Sequence, residues 1–125
     1  MKSVLVVDDE FDLTNTLRAI LEGEGYRVET CANGREALDR LRAAPPDLVL
    51  MDVMMPLASG LEVLQEMRRS PGLEQVPVIL MSVIAPSVKR TEYAWHAFLR
   101  KPFSLQALVK TVRELASEPA KAAER

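Results

Sequence analysis

The sequence is poor in the residues that build disulfide scaffolds and soft-metal sites. Its 125 residues include one cysteine, Cys31, and one histidine, His96. A lone cysteine cannot form an intrachain disulfide, and a single histidine does not supply the Cys and His ligands of a structural zinc site. We interpret Cys31 as a small buried residue and His96 as a surface or loop histidine. A disulfide framework and a cysteine-rich metal site are therefore excluded.

Long hydrophobic runs and excess positive charge are also missing. The longest apolar runs have four or five residues, whereas a membrane-spanning helix needs about 20. Met1 and Lys2 lead directly into a strand-like run without a signal-peptide pattern, which predicts a cytoplasmic location. The net charge of -2 disfavours a nucleic-acid surface, because such surfaces cluster Lys and Arg. We expect no direct contact with membrane or nucleic acid.

The residues that are present indicate one α/β domain with an aliphatic core. Hydrophobic residues make up 48% of the chain and aromatic residues only 5%. Short apolar runs alternate with segments of helical periodicity, which predicts a parallel sheet covered by helices on both faces. The predicted strands are residues 4–7, 26–31, 48–51, 78–81 and 97–100. Helices are predicted around residues 12–23, 35–44, 60–69 and 105–115, with a weakly patterned one between Pro86 and His96.

Polar residues follow these predicted strands at the points where the apolar runs end. They are Asp8, Asp9, Asp52, Ser82 and Lys101. The carboxyl ends of parallel strands share one edge of the sheet, so three acids, one hydroxyl and one ammonium converge there. Gathered carboxylates repel one another, which raises the pKa of at least one of them unless cations are present. Oxygen ligands without His or Cys suit Mg²⁺.

The pattern resembles the receiver domain of two-component response regulators over about residues 2–115. The resemblance rests on an acidic pair, an Asp with a downstream Met-Pro and Gly, a Ser, and a Lys-Pro-Phe turn: Asp8-Asp9, Asp52, Met55-Pro56, Gly60, Ser82 and Lys101-Pro102-Phe103. It implies a doubly wound, flavodoxin-like sheet of strand order 2-1-3-4-5. We expect residues 1–117 to form the receiver domain and residues 118–125 a flexible tail or linker stub.

The resemblance also implies the chemistry of the site. Asp52 would be the phosphoacceptor, attacking the phosphohistidine of a histidine kinase or phosphotransfer protein. Asp9 and Asp52 would bind Mg²⁺ directly, with the backbone carbonyl of Met54, and Asp8 would bind it through water. The same arrangement would admit water, so slow self-dephosphorylation is expected. Such a protein modifies itself and is not a turnover enzyme.

Three further residues complete what the resemblance implies. Lys101 and Ser82 would hold the transferred oxygens. Ser82 would then move with Phe98 as a switch. The bond between Lys101 and Pro102 is expected to be cis. Output would pass to a protein target through the helix before the fifth strand, the fifth strand and the last helix, and phosphorylation could produce a homodimer.

The sequence departs from the family pattern at three places. The interval from Ser82 to Lys101 is short, which predicts a shortened or irregular helix between Pro86 and His96. Trp95 stands where small residues are usual, and either packs into the vacated space or anchors a partner. Ser59 replaces a common Asp before Gly60, in a turn where the chemistry should be unaffected. Glu10 is interpreted as a solvated residue beside the site.

Two other functions are alternatives to the phosphoacceptor. One is a receiver-like module that binds a partner regardless of phosphorylation. The other is a hydrolase or nucleotide-binding enzyme. The hydrolase fits poorly, because no Gly-rich phosphate loop follows the first strand and no second Asp lies two residues after Asp52.

Overall fold

The computed structural model describes residues 1–85 and 94–116. It confirms the predicted fold class: five parallel strands pair in the order β2-β1-β3-β4-β5. The strands are β1 (Ser3–Val7), β2 (Arg27–Cys31), β3 (Leu48–Asp52), β4 (Val78–Ser82) and β5 (Ala97–Arg100). The helices are α1 (Phe11–Gly23), α2 (Gly34–Ala43), α3 (Gly60–Arg69) and α4 (Leu105–Leu115).

The core consists of two apolar layers, one on each face of the sheet. Alternate residues of the central strands point to opposite faces, since successive side chains in a strand alternate. One layer joins the sheet to α2 and α3, through residues such as Leu41 and Leu64. The other joins it to α1 and α4, through residues such as Leu17 and Leu108. Strands β3 and β4 are buried along their whole length. The polar residues that end them, Asp52 and Ser82, are therefore held by strands shielded from solvent.

Two predicted strands end one residue later than their apolar runs. Asp52 and Ser82 are the last residues of β3 and β4. The hydrogen-bond ladder continues past them, because the Val53 N–H donates to the Met81 carbonyl at 2.9 Å and the Lys101 N–H donates to the Ser82 carbonyl at 2.8 Å. Both functional side chains are thus fixed by strand pairing.

The start of α3 presses closely against the end of β3. A Cβ on Gly60 would collide with the backbone carbonyl of Asp52, so only glycine fits there. Ser59 caps the helix: its hydroxyl accepts from the Glu62 N–H at 3.2 Å, and the Glu62 carboxylate accepts from the Ser59 N–H at 2.9 Å. The serine therefore replaces the usual Asp as a cap, away from the chemistry.

Arg68 of α3 ties together the loops at the amino-terminal edge of the sheet. Its Nη1 lies 3.0–3.2 Å from the carbonyls of Leu73, Glu74 and Val76, and its Nη2 donates to the Ala94 carbonyl at 2.9 Å. Its Nε is buried and has no hydrogen-bond partner in the described part of the chain. Arg68 thus links α3 both to the loop before β4 and to the residues before β5.

Other predictions have mixed outcomes. Trp95 is half-buried against the layer formed by α2 and α3, which supports its packing role. The helix predicted between Pro86 and His96, and the tail predicted for residues 118–125, lie outside the described residues. Among the residues that are described, none of the helices is both long and apolar enough to span a membrane.

Candidate functional site

The predicted polar residues meet at the carboxyl-terminal edge of the sheet. Asp8, Asp52 and Ser82 are buried, with 1%, 6% and 3% of their surfaces exposed, whereas Asp9 is exposed. One oxygen from each of the three aspartates lies within 4.8 Å of the others. The strand-end positions seen in the sequence therefore translate into one acidic pocket with an open side at Asp9.

Lys101 reaches into this pocket from the turn after β5. Its ammonium donates to Asp8 Oδ2 at 2.7 Å and lies 3.5 Å from Asp52 Oδ1. The lysine side chain is only 13% exposed. The Lys101–Pro102 bond is cis, as the resemblance implies. One ammonium is thus shared between two buried carboxylates, which leaves the pocket with an excess of negative charge.

This excess raises the pKa of Asp52. Burial, and after it the charge of Asp8, raise the pKa of Asp52 from 3.8 to about 6 overall. The charge of Lys101 and the backbone N–H of Met54 partly offset these effects. Asp52 thus has an unusually stable protonated form, because ionisation puts a second charge beside Asp8 in a poorly hydrated site.

Lys101 responds in the opposite way to the same surroundings. Burial alone would lower the pKa of Lys101, but the hydrogen bond and charge of Asp8, together with Asp52 and Glu10, raise it overall. The side chain therefore stays an ammonium throughout the physiological range. It can hold anionic oxygens, but it cannot act as a base there.

Glu10 is a contact that the sequence interpretation underestimated. Its side chain is 65% exposed, as expected of a solvated residue, yet its Oε1 lies 3.5 Å from the Lys101 ammonium. Its backbone N–H also donates to Asp8 Oδ1 at 2.9 Å. The run of three acids after β1 could have indicated this contact, since consecutive acids at a strand end lie close to the same cation.

The two predicted switch residues lie in different surroundings. The Ser82 hydroxyl oxygen accepts from the Ile84 N–H at 3.3 Å, so it is tied to the loop that follows β4. Phe98 is half-buried and packs against the layer formed by α2 and α3. Lacking a hydroxyl, it carries no polar atom into that layer.

The donor set fits a hard divalent cation. The grouped ligand atoms of Asp8, Asp9 and Asp52 are all carboxylate oxygens, the type that Mg²⁺ prefers. The exposure of Asp9 leaves room for the waters that Mg²⁺ usually retains. Met54, whose carbonyl the resemblance adds to this set, lies in the exposed loop after β3. The cluster could bind such an ion, and an ion would offset the surplus charge.

Fold and site together define a receiver domain, and the comparisons identify the family directly. The family model described as the response regulator receiver domain matches residues 4–113. The chain belongs to this family, which is the receiver domain of two-component response regulators. These are signalling modules and not a turnover-enzyme family.

Curated relatives agree with this assignment. The chain is 37% identical over 118 residues to the transcriptional regulatory protein CpxR homolog of Haemophilus influenzae, covering 92% of this chain and 50% of that protein. It is 33% identical over 115 residues to the polar-differentiation response regulator DivK of Brucella anthropi, covering 90% of this chain and 94% of that protein. It therefore spans about half the length of the first relative and nearly all of the second.

A solved structure gives the same fold. The response regulator TrrA of Thermotoga maritima, solved in complex with Mg(2+)-BeF, matches with a TM-score of 0.83 and 34% identity. The match covers 92% of this chain and 99% of that one.

Proposed function

We propose that this receiver domain accepts a phosphoryl group on Asp52 in a Mg²⁺-dependent reaction. The observation that carries the proposal is the shared ammonium of Lys101, which lies between Asp8 and Asp52 in a pocket with surplus negative charge. Phosphoryl transfer asks a protein mainly for positioning and charge neutralisation. This pocket offers a fixed nucleophile and one fixed cation.

In this reaction an Asp52 oxygen attacks the phosphorus of a phosphohistidine. The P–N bond to the donor breaks, the donor imidazole takes the electron pair, and an acyl phosphate forms on Asp52. Lys101 is placed to turn one N–H towards the incoming oxygens, and the Ser82 hydroxyl donates to one of them afterwards.

Mg²⁺ would be held directly by Asp9 and Asp52, through water by Asp8, and by the Met54 carbonyl. When bound, it neutralises charge on the pocket and on the transferred group. The oxygen donors of the three aspartates, and the similarity to TrrA, which was solved in complex with Mg(2+)-BeF, support Mg²⁺ as the ion. Asp52 must be ionised both to bind the metal and to attack, so activity should fall in acid. With Mg²⁺ bound, the fall should come below the pH of about 6 at which Asp52 ionises without the ion.

Membership of the family supports a proposal for the partners. A histidine kinase or phosphotransfer protein would supply the phosphoryl group, and a protein target would receive the signal. Addition of a dianion at Asp52 would draw the Ser82 hydroxyl inward and allow Phe98 to bury further, changing the surface of β5 and α4. Dimerisation on phosphorylation is part of the proposal, and slow loss of the phosphoryl group to water completes the cycle.

The test is labelling by acetyl phosphate, followed by intact mass. Wild type should gain one phosphoryl group only when Mg²⁺ is present, and Asp52→Asn should gain none. Asp47→Asn is the matched control, because it changes an aspartate at the opposite edge of the sheet and should label normally. Failure of wild type to label under conditions where it is folded would overturn the proposal.

A second readout addresses the phosphorylation-independent module. Binding of the partner should differ between the free protein and the beryllofluoride-treated protein. Equal affinity of wild type and Asp52→Ala, with or without beryllofluoride, would favour the module that ignores phosphorylation.

A further inference from the structure

The start of β5 is fastened to β4 by a histidine side chain. The His96 backbone N–H donates to the Val78 carbonyl at 2.8 Å, and the Val78 N–H donates to Nδ1 of the His96 ring at 3.1 Å. The regular register between these strands begins one residue later, at Ile79 and Ala97. The imidazole therefore acts as the acceptor at the first step of the β4–β5 ladder, where a strand carbonyl would normally serve.

This acceptor exists in only one protonation state. A ring nitrogen accepts a hydrogen bond only when it carries no proton, and both ring nitrogens of an imidazolium are donors. Protonation at Nδ1 would set two N–H groups against each other. Val78 is 0% exposed, so its N–H has little access to replacement water, whereas the exposed His96 ring can exchange protons with solvent.

Charged groups from several elements face the same cleft as His96. Lys2, Asp47 and Glu114 line it, and Lys2 pairs with Asp47 at 3.9 Å. Arg68 binds the Ala94 carbonyl two residues before the histidine. Among the described residues, the charged groups around the ring are thus two cations, Lys2 and Arg68, and two acids, Asp47 and Glu114.

We propose that His96 is a proton-sensitive latch on the β4–β5 edge, closed when the ring is neutral and opened by its protonation. The consequence reaches beyond the local pair, because β5 carries Phe98 and leads to Lys101. The Lys101 N–H donates to the Ser82 carbonyl at the far end of the same strand pair. Acid would thus loosen the strand that positions the Lys101 ammonium.

The first test uses the wild-type chain and needs no substitution. Because the chain has one histidine, its ring nitrogens give unambiguous ¹⁵N signals. The neutral ring should be the Nε2–H tautomer, and the Val78 amide signal should shift with the same midpoint as the ring. A neutral ring in the Nδ1–H tautomer, or a Val78 signal that ignores the titration, would overturn the latch.

The second test compares two variants by amide hydrogen exchange. His96→Gln keeps a side-chain acceptor that does not titrate, whereas His96→Ala removes the acceptor. Wild type should lose at least several-fold of its Val78 protection between pH 8 and pH 5, beyond the intrinsic pH dependence of exchange. His96→Gln should show no such loss, and His96→Ala should be poorly protected at both pH values.

An equal loss in wild type and His96→Gln would contradict the latch, and so would an unchanged Lys101 amide signal during the wild-type titration. If His96→Ala does not fold, the ring tautomer of wild type and the Val78 exchange of His96→Gln still test the latch.

Discussion

Two half-buried cations, Lys101 and Arg68, hold opposite edges of the sheet in different ways. The Lys101 ammonium is surrounded by carboxylates, one at 2.7 Å and two at 3.5 Å. The Arg68 guanidinium is surrounded by four backbone carbonyls. The surroundings raise the pKa of Lys101, whereas burial lowers the pKa of Arg68.

The difference separates a structural contact from a functional one. Carbonyls are neutral, so Arg68 joins loops without creating surplus charge. The partners of Lys101 are acids that outnumber it, and the pocket is left ready for a second cation. The carboxyl-terminal edge should therefore respond to pH, Mg²⁺ and an added phosphoryl group, and the Arg68 contacts should not.

Removal of the lysine charge should produce the largest change in stability. Lys101→Gln leaves two buried acids without a counter-charge, and we expect a loss of about 3–5 kcal/mol in the free energy of unfolding at pH 8. The loss should shrink at pH 5, where Asp52 is mostly protonated, and when Mg²⁺ is added. Urea unfolding at both pH values measures it, and an equal loss at each would contradict the electrostatic role.

Substitution of the arginine should give a smaller and constant loss. In Arg68→Lys the lysine ammonium carries three donors on a single nitrogen and cannot reach all four carbonyls. We therefore expect a loss of about 2–3 kcal/mol in the free energy of unfolding. Urea unfolding should give the same value at pH 5, at pH 8 and with Mg²⁺. A loss that follows pH or Mg²⁺ would erase the distinction between the two cations.

Replacing an aspartate by asparagine should have opposite effects on stability at the two ends of the strands. The pKa of Asp52 rises from 3.8 in the unfolded chain to about 6 in the folded one, so its stabilising contribution is full at low pH and is lost as the pH rises through 6. Asp52→Asn should therefore stabilise the protein by about 1–3 kcal/mol at pH 8 without Mg²⁺ and by little at pH 4.

Asp47→Asn is the control for this sign. Asp47 accepts a hydrogen bond from the Ser3 N–H at 2.8 Å and pairs with Lys2 at 3.9 Å. Asp47→Asn should therefore lower the free energy of unfolding by about 0.5–1 kcal/mol. Parallel denaturant titrations of both variants measure the contrast. Destabilisation by both substitutions would show that the pocket carries no surplus charge.

A small effect is also expected at the neutral Ser59 cap of α3. Ser59→Ala removes the capping box of α3 and should cost about 1 kcal/mol, whereas Ser59→Asp restores an acceptor and should recover most of it. Thermal unfolding measures both. Neither change should alter labelling of Asp52, and a labelling defect in Ser59→Ala would mean that the cap also positions the acceptor.

Much of the fold and of the pocket could be predicted from the sequence. Apolar runs that end in acids fix both a buried strand and the edge on which its last side chain lies, which is why Asp8 and Asp52 were found together. The Arg68 contacts could not be predicted, because the residue types of a loop do not determine where its backbone carbonyls point. The bond from Val78 to His96 was missed for a similar reason, since a lone histidine before a strand has no pattern to distinguish it.

The most direct test of the surplus-charge account is an NMR titration of the Asp52 side-chain carboxyl carbon, with and without Mg²⁺. Without the ion, the pKa of Asp52 should be about 6, and saturating Mg²⁺ should lower it markedly. A pKa near the ordinary value of about 3.9 that does not change with Mg²⁺ would contradict the account.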